Sequence, residues 1–151
     1  MISSSLIKEL ASEHGFDMCG IAPATLLATN KVAFDRWMSS GYGQPLEYLK
    51  RYHEVRFDPS KLLDGGRSVI VCACSYKNDF SLGYDNPNTP KIASYALSRD
   101  YHKTIRKRLK RLLKCIQNLY PSTNGRVFTD SAPLLEKQLA VNAGLGWIGR
   151  Q

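Results

Sequence analysis

The sequence predicts an α/β or α+β domain whose helices cover a sheet. Three observations predict it. Strand-like apolar runs alternate with segments of helical period from end to end. The most apolar run, SVIVCACSY at residues 68–76, is unbroken, which suits a strand covered on both faces. The chain has 151 residues, so a single domain spanning 1–151 is the natural unit.

The first helix is predicted at residues 4–14. Leu6, Ile7, Leu10 and Ala11 recur at helical spacing, the run Ser3 to Ser5 supplies a cap, and Gly15 ends it. Residues 16–22 read as a short buried strand closed by Pro23, and residues 25–40 as a second helix. That helix draws its apolar mass from Leu26, Leu27, Val32, Ala33, Phe34, Trp37 and Met38, and Gly41 and Gly43 stop it. Residues 44–63 mix aromatic and charged side chains; Pro45 opens a short helix and Asp58-Pro59 marks a turn. After the strand at 68–76 comes a polar loop, 77–90, and a short strand at 91–97.

The strongest helical pattern is at residues 100–120. Ile105, Leu109, Leu112, Leu113 and Ile116 form one stripe, and the other face carries Lys103, Arg106, Lys107, Arg108, Lys110, Arg111 and Lys114. Residues 126–129 read as a short strand ending at Asp130. Residues 133–142 read as a helix with Pro133 first. The chain closes on AGLGWIGRQ, a glycine-rich, aromatic-containing stretch where a further element is expected.

The formal net charge is +8. That balance suggests a polyanionic partner and equally fits a generally basic soluble protein. No apolar run approaches the roughly 20 residues of a membrane span. The amino terminus carries charges at helical spacing and is not a secretory signal, so cytoplasm is the expectation. Cys72 and Cys74 form a C-x-C pair inside an apolar run, unlike the paired C-x-x-C spacing of zinc or cluster sites, so they read as core thiols and no metal ligands are assigned.

Three segments resemble the epoxyqueuosine reductase family. RFDPSKLLDGGRSVIV, residues 56–71, is similar to R-x-D-P-x-x-L-L-x-G-A-x-S-V-I, with Gly66 where alanine is usual. YALSRDYHKTIRKRLKRL, residues 95–112, is similar to Y-A-x-G-x-D-Y-H-x-x-x-R-x-x-L, with Ser98 where glycine is common. DSAPLLEKQLAVNAGLGWIGR, residues 130–150, is similar to D-S-A-P-x-x-E-x-x-x-A-x-x-A-G-L-G-W-I-G-K, with Arg150 for the lysine. GFDMCGIAPA, residues 15–24, also fits.

The resemblance implies conversion of epoxyqueuosine in tRNA to queuosine. It implies a base-off cobalamin bound by this part and two 4Fe–4S clusters in a ferredoxin-like segment that follows it. The cluster cysteine run has no counterpart in this sequence, so a truncated, inactive fragment is expected. The implied fold is similar to nitroreductases and cobalamin-processing reductases. Asp130 is the implied proton donor; the competing reading is that Asp130 or Ser131 caps the following helix. Such an acid needs its affinity for the proton raised by burial or by nearby negative charge. Arg56 is the implied cofactor contact, its planar fork suiting phosphate or amide groups, against a surface ion pair with Asp58 or Glu54. Ala93, Tyr95 and their neighbours match a segment lying by the corrin. Tyr101 and His102 are candidates to orient substrate or cofactor, with His102 also readable as a helix-start histidine. His14 and His53 have no supporting pattern.

The cationic face, including Lys103, Arg106, Lys107, Lys110 and Lys114, suits tRNA phosphates, solvent, or docking to the ferredoxin-like domain or another subunit. Two other classes stay open: a non-catalytic basic RNA-binding module, and a flavin-binding nitroreductase relative.

Overall fold

The computed structural model describes residues 2–76, 88, 90–97 and 100–149. The polar loop expected at 77–90 lies outside the described residues except for 88 and 90. The chain divides into two compact units. The first holds residues 1–18, 72–123 and 127–130; the second holds 19–71, 124–126 and 131–151. Helices accompany a small sheet, as the α/β (α+β) class requires. Among the described residues the sheet has two strands, β1 (Met18–Pro23) and β2 (Ser68–Ala73). Their pairing is antiparallel: the Asp17 N–H reaches the Ala73 carbonyl, and the Ala24 N–H reaches the Arg67 carbonyl at the opposite end.

In the first unit, α1 (Ser4–Glu13) packs on α4 (Tyr101–Leu119). Ser3 Oγ accepts the Leu6 N–H at 3.2 Å and so caps α1. Ile7, Leu10, Ala11 and Phe16 are buried here, as are Leu112 and Ile116 one turn apart on α4. Each large side chain so buried contributes about 1.5–3 kcal/mol. Gly15 stops α1 at φ +81°, where a side chain is strained. Its carbonyl accepts from Arg108 Nη1 at 2.8 Å, and the same nitrogen lies 3.7 Å from Cys74 Sγ. Arg108 is thus withdrawn from the cationic face of α4.

In the second unit, α2 (Ala28–Ser39) and α3 (His53–Phe57) pack together, with a 3₁₀ turn at Gln44–Lys50 before α3 and another at Pro59–Leu62 after it. α5 (Glu136–Asn142) buries Leu139. Phe57, Ala22, Leu27, Pro59 and Leu139 are buried in this unit. Asp58 opens the second 3₁₀ turn by accepting the Ser60 N–H.

Several elements differ from the sequence reading. The second helix begins at Ala28, not residue 25, because the Leu27 N–H is taken by the Phe57 carbonyl at 2.8 Å. No residue of α2 is fully buried, and Val32 is 58% exposed. β2 is half-buried from Val69 to Ala73 and exposed at Ser68, not covered on both faces. Residues 91–97 form no strand: the Ala96 N–H turns back to the Ala93 carbonyl, leading into a 3₁₀ turn at Ser94–Leu97. Residues 126–129 carry no regular element, and the Arg126 guanidinium bonds the Leu62 carbonyl. The last helix starts at Glu136. Pro133 falls in a bend closed by the Leu134 N–H on the Ala132 carbonyl. The cysteines are half-buried, not core. No helix among the described residues is long and apolar enough to cross a membrane.

Candidate active site

Asp130 stands in the left-handed region at φ 48°. Asp tolerates that region better than most residues, yet holding it costs of order 1–3 kcal/mol unless the surroundings determine it. Two side chains of α4 supply the determination. The Tyr101 hydroxyl donates to Asp130 Oδ2 at 2.8 Å, and His102 Nε2 lies 3.4 Å from the same oxygen. Both come from the first turn of α4, which Asp100 caps by accepting the His102 N–H at 3.0 Å. The His102 ring also has Nδ1 3.2 Å from Asp100 Oδ1, so the imidazole stands between two carboxylates.

The arrangement is aromatic as well as charged. The His102 and Tyr101 rings stack at 4.0 Å. Tyr95 meets Tyr101 edge-on at 6.2 Å, and Tyr76 meets Tyr95 edge-on at 6.4 Å. Tyr95 is 53% exposed, and Ala93 beside it is exposed too. The first unit therefore presents a row of rings that ends at a carboxylate.

The electrostatics follow from these contacts. The bond to Asp130, reinforced by desolvation and by the carboxylate's charge, pushes the Tyr101 phenol above its ordinary value of 10.0. At Asp100 desolvation is the largest influence and pushes the carboxyl up. The His102 imidazole and the N–H groups of His102 and Lys103 outweigh it, and the carboxyl settles below its usual value. Asp130 is not buried: its side chain is 50% exposed. The capping alternative fails for both Asp130 and Ser131, since α5 begins at Glu136 with Leu135 before it and no side-chain cap.

Arg56 lies in the second unit, on α3. It forms no ion pair with Asp58 or Glu54. Asp58 accepts the Ser60 N–H at 3.1 Å and the Ser60 hydroxyl at 2.6 Å, while Glu54 pairs with Lys61 at 2.8 Å. The Arg56 guanidinium instead rests over the Phe34 ring at 6.0 Å, with a buried Nε that has no partner. A buried unsatisfied donor costs about 1–3 kcal/mol, so this geometry suits an acceptor brought by a ligand.

Tyr101 and His102 entered the sequence reading only as helpers. Tyr76 and Asp100 escaped it. The D-Y-H triplet at a helix start is the signal that finds Asp100, whereas nothing local marks Tyr76. His53 had no sequence pattern, yet its Nε2 lies 2.6 Å from Asp35 Oδ1. His14 does a local task, its Nδ1 2.8 Å from the Leu10 carbonyl.

Residues 56–131, which contain Arg56, Ala93, Tyr95, Tyr101, His102 and Asp130, match the family described as Epoxyqueuosine reductase QueG, DUF1730. The chain belongs to the epoxyqueuosine reductase QueG family. An epoxyqueuosine reductase of Cyclobacterium marinum is 40% identical over 147 residues, which cover 97% of this chain and 47% of that protein. The chain thus spans between about two fifths and a half of the length of the epoxyqueuosine reductases it matches. The solved epoxyqueuosine reductase from Streptococcus thermophilus superposes with a TM-score of 0.75 at 22% identity, over 99% of this chain and 40% of that one. An epoxyqueuosine reductase solved with a tRNA-Tyr epoxyqueuosine-modified stem loop gives 0.68 at 22% identity, covering 95% and 38%. At such identities the superpositions establish the epoxyqueuosine reductase fold.

Proposed function

We propose that this chain is the amino-terminal, cobalamin-binding part of an oxidoreductase that converts epoxyqueuosine in tRNA to queuosine in the cytoplasm. The observation that carries the proposal is the Asp130 carboxylate, held in a strained turn by Tyr101 and His102 at the end of an exposed row of rings. Removing an epoxide oxygen as water consumes two electrons and two protons. Cobalamin, when bound, supplies a reduced cobalt centre able to deliver electrons to the substrate. Taken unit by unit, the residues present suit that cofactor's chemistry: in the second unit the buried, unpartnered Nε of Arg56 suits an amide or phosphate group, and in the first unit Ala93 and Tyr95 are exposed apolar and aromatic surface.

In this reading Asp130 holds a proton at its carboxyl and passes it to the leaving oxygen. Tyr101 orients the carboxyl by donating to Oδ2. His102, between Asp100 and Asp130, relays the replacement proton from solvent. In this reading the 4Fe–4S clusters are held by a ferredoxin-like segment outside these residues, whose cysteines carry no cluster-type spacing.

The tRNA partner is supported by α4, whose Lys103, Arg106, Lys107, Lys110 and Lys114 are all exposed. A neighbour of the same fold was solved with a modified tRNA stem loop. Cations so placed attract phosphates and do not read bases.

Two measurements test the proposal. Hydroxocobalamin added to the chain gives a base-off absorption spectrum and raises Tm; an unchanged spectrum with an unchanged Tm defeats the cofactor claim. Asp130→Asn, placed in the reductase that carries this segment, lowers turnover about 10²–10⁴-fold while cobalamin binding and melting stay unaltered. Turnover within a factor of two of the parent removes Asp130 from the mechanism.

A further inference from the structure

α3 has only five residues, too few to hold an orientation by its own hydrogen bonds. Its cap residue, Tyr52, is left-handed at φ 57° and makes no side-chain cap bond. Contacts with other elements must therefore hold it. The Phe57 carbonyl takes the Leu27 N–H, and Lys61 reaches Glu54. The shortest contact is between His53 Nε2 and Asp35 Oδ1 on α2, at 2.6 Å.

That contact lies beside the shelf on which Arg56 rests. Asp35 follows Phe34 in the chain, and His53 and Arg56 are three residues apart, on one side of α3. The Phe34 ring is 5.7 Å from the His53 ring and 5.3 Å from that of Phe57, and it carries the Arg56 guanidinium at 6.0 Å. We infer that Asp35 and His53 are positioning residues: their bond locks α3 to α2 so that the Arg56 guanidinium lies over Phe34 with its Nε buried and open for an acceptor.

The surroundings suit a durable lock. Asp35 is also held by Lys31 at 3.1 Å, and His53 Nδ1 lies 3.4 Å from Glu54, itself paired with Lys61. Lys50 and Ser39 line the same cavity of about 430 Å³ as Phe34, Asp35, Met38 and His53, leaving the imidazole open to solvent on that side. No other charged residue is needed to explain the arrangement.

The inference rests on the cofactor reading only for what the acceptor is, and the experiment separates the two. In ¹⁵N-labelled chain without cofactor, the Arg56 Nε–Hε resonance is identified by its loss in Arg56→Lys. Asp35→Asn and His53→Ala shift this resonance and broaden it by faster exchange with water. His53→Gln keeps a side-chain N–H toward Asp35 and restores it. Phe34→Leu, which retains apolar volume without the ring face, perturbs the signal in a chain that still folds. Affinity for hydroxocobalamin, read by absorption, falls about tenfold in Asp35→Asn and in His53→Ala. Neither substitution has a further effect when Arg56 is already alanine. An Nε–Hε resonance unmoved by Asp35→Asn, His53→Ala and Phe34→Leu overturns the positioning role, whatever the cofactor. A resonance that moves while Arg56→Ala binds hydroxocobalamin normally upholds that role and overturns the cofactor contact instead.

Discussion

At Asp130 the backbone adopts a conformation that few side chains favour, and the side chain makes it tolerable by accepting from Tyr101. That bond has a titration consequence. The phenol gives up its proton less readily in the folded chain than in the unfolded one, because its O–H serves the carboxylate. The folded state therefore binds the proton more tightly. The stability from this bond is complete below the ordinary phenol value of 10.0 and is lost as pH rises through the higher folded value. Tyr101→Phe is expected to flatten the alkaline limb of a stability-versus-pH curve. It also removes one phenol from the late-titrating part of the absorbance at 295 nm. A late component that persists in the variant shows that the bond does not control the phenol.

Among the elements, α4 divides its work by face. Leu112 and Ile116 enter the core of the first unit, Arg108 turns back to the Gly15 carbonyl, and Tyr101 and His102 at its start reach Asp130. Lys107, Lys110 and Lys114 remain exposed. Replacing these three with glutamine is expected to weaken binding of a tRNA stem loop. It should also reduce the slope of log K against log salt by about 2–3, at roughly 0.7–0.9 per phosphate contact. Stability should move by no more than about 0.5 kcal/mol, as for surface positions without special contacts. Fluorescence anisotropy over a salt series, paired with a thermal melt, reads both. An unchanged slope overturns the proposed part of this face in binding tRNA.

On the scale of the molecule, residues distant in sequence are packed to the limit of what the backbone permits. In the second unit a methyl group added at Gly20 of β1 runs into the Ala143 carbonyl oxygen and meets Leu145 Cδ2 at 3.1 Å. The backbone oxygen cannot rotate aside, so the strand or the turn after α5 must shift. Gly20→Ala is expected to cost roughly 1–3 kcal/mol, read as a fall in Tm of about 2–4 °C per kcal/mol. A melt equal to the parent's shows that the turn yields freely.

Local chemistry by itself determined α1 with its Ser3 cap and Gly15 stop, the amphipathic α4, the turn at Asp58, and the family motifs that contain Arg56 and Asp130. Each is written within a few residues, because caps, period and turn chemistry act over one or two turns of chain. Only the tertiary structure decided that residues 91–97 turn and do not pair, that 126–129 lack a ladder, and that Leu27 bonds to Phe57 and delays α2. It alone brought Tyr101 and His102 to Asp130, His53 to Asp35, and Arg56 onto Phe34 without an ion pair. A strand needs a neighbour and a carboxylate needs a partner, and both are supplied by residues tens of positions away that no local pattern specifies.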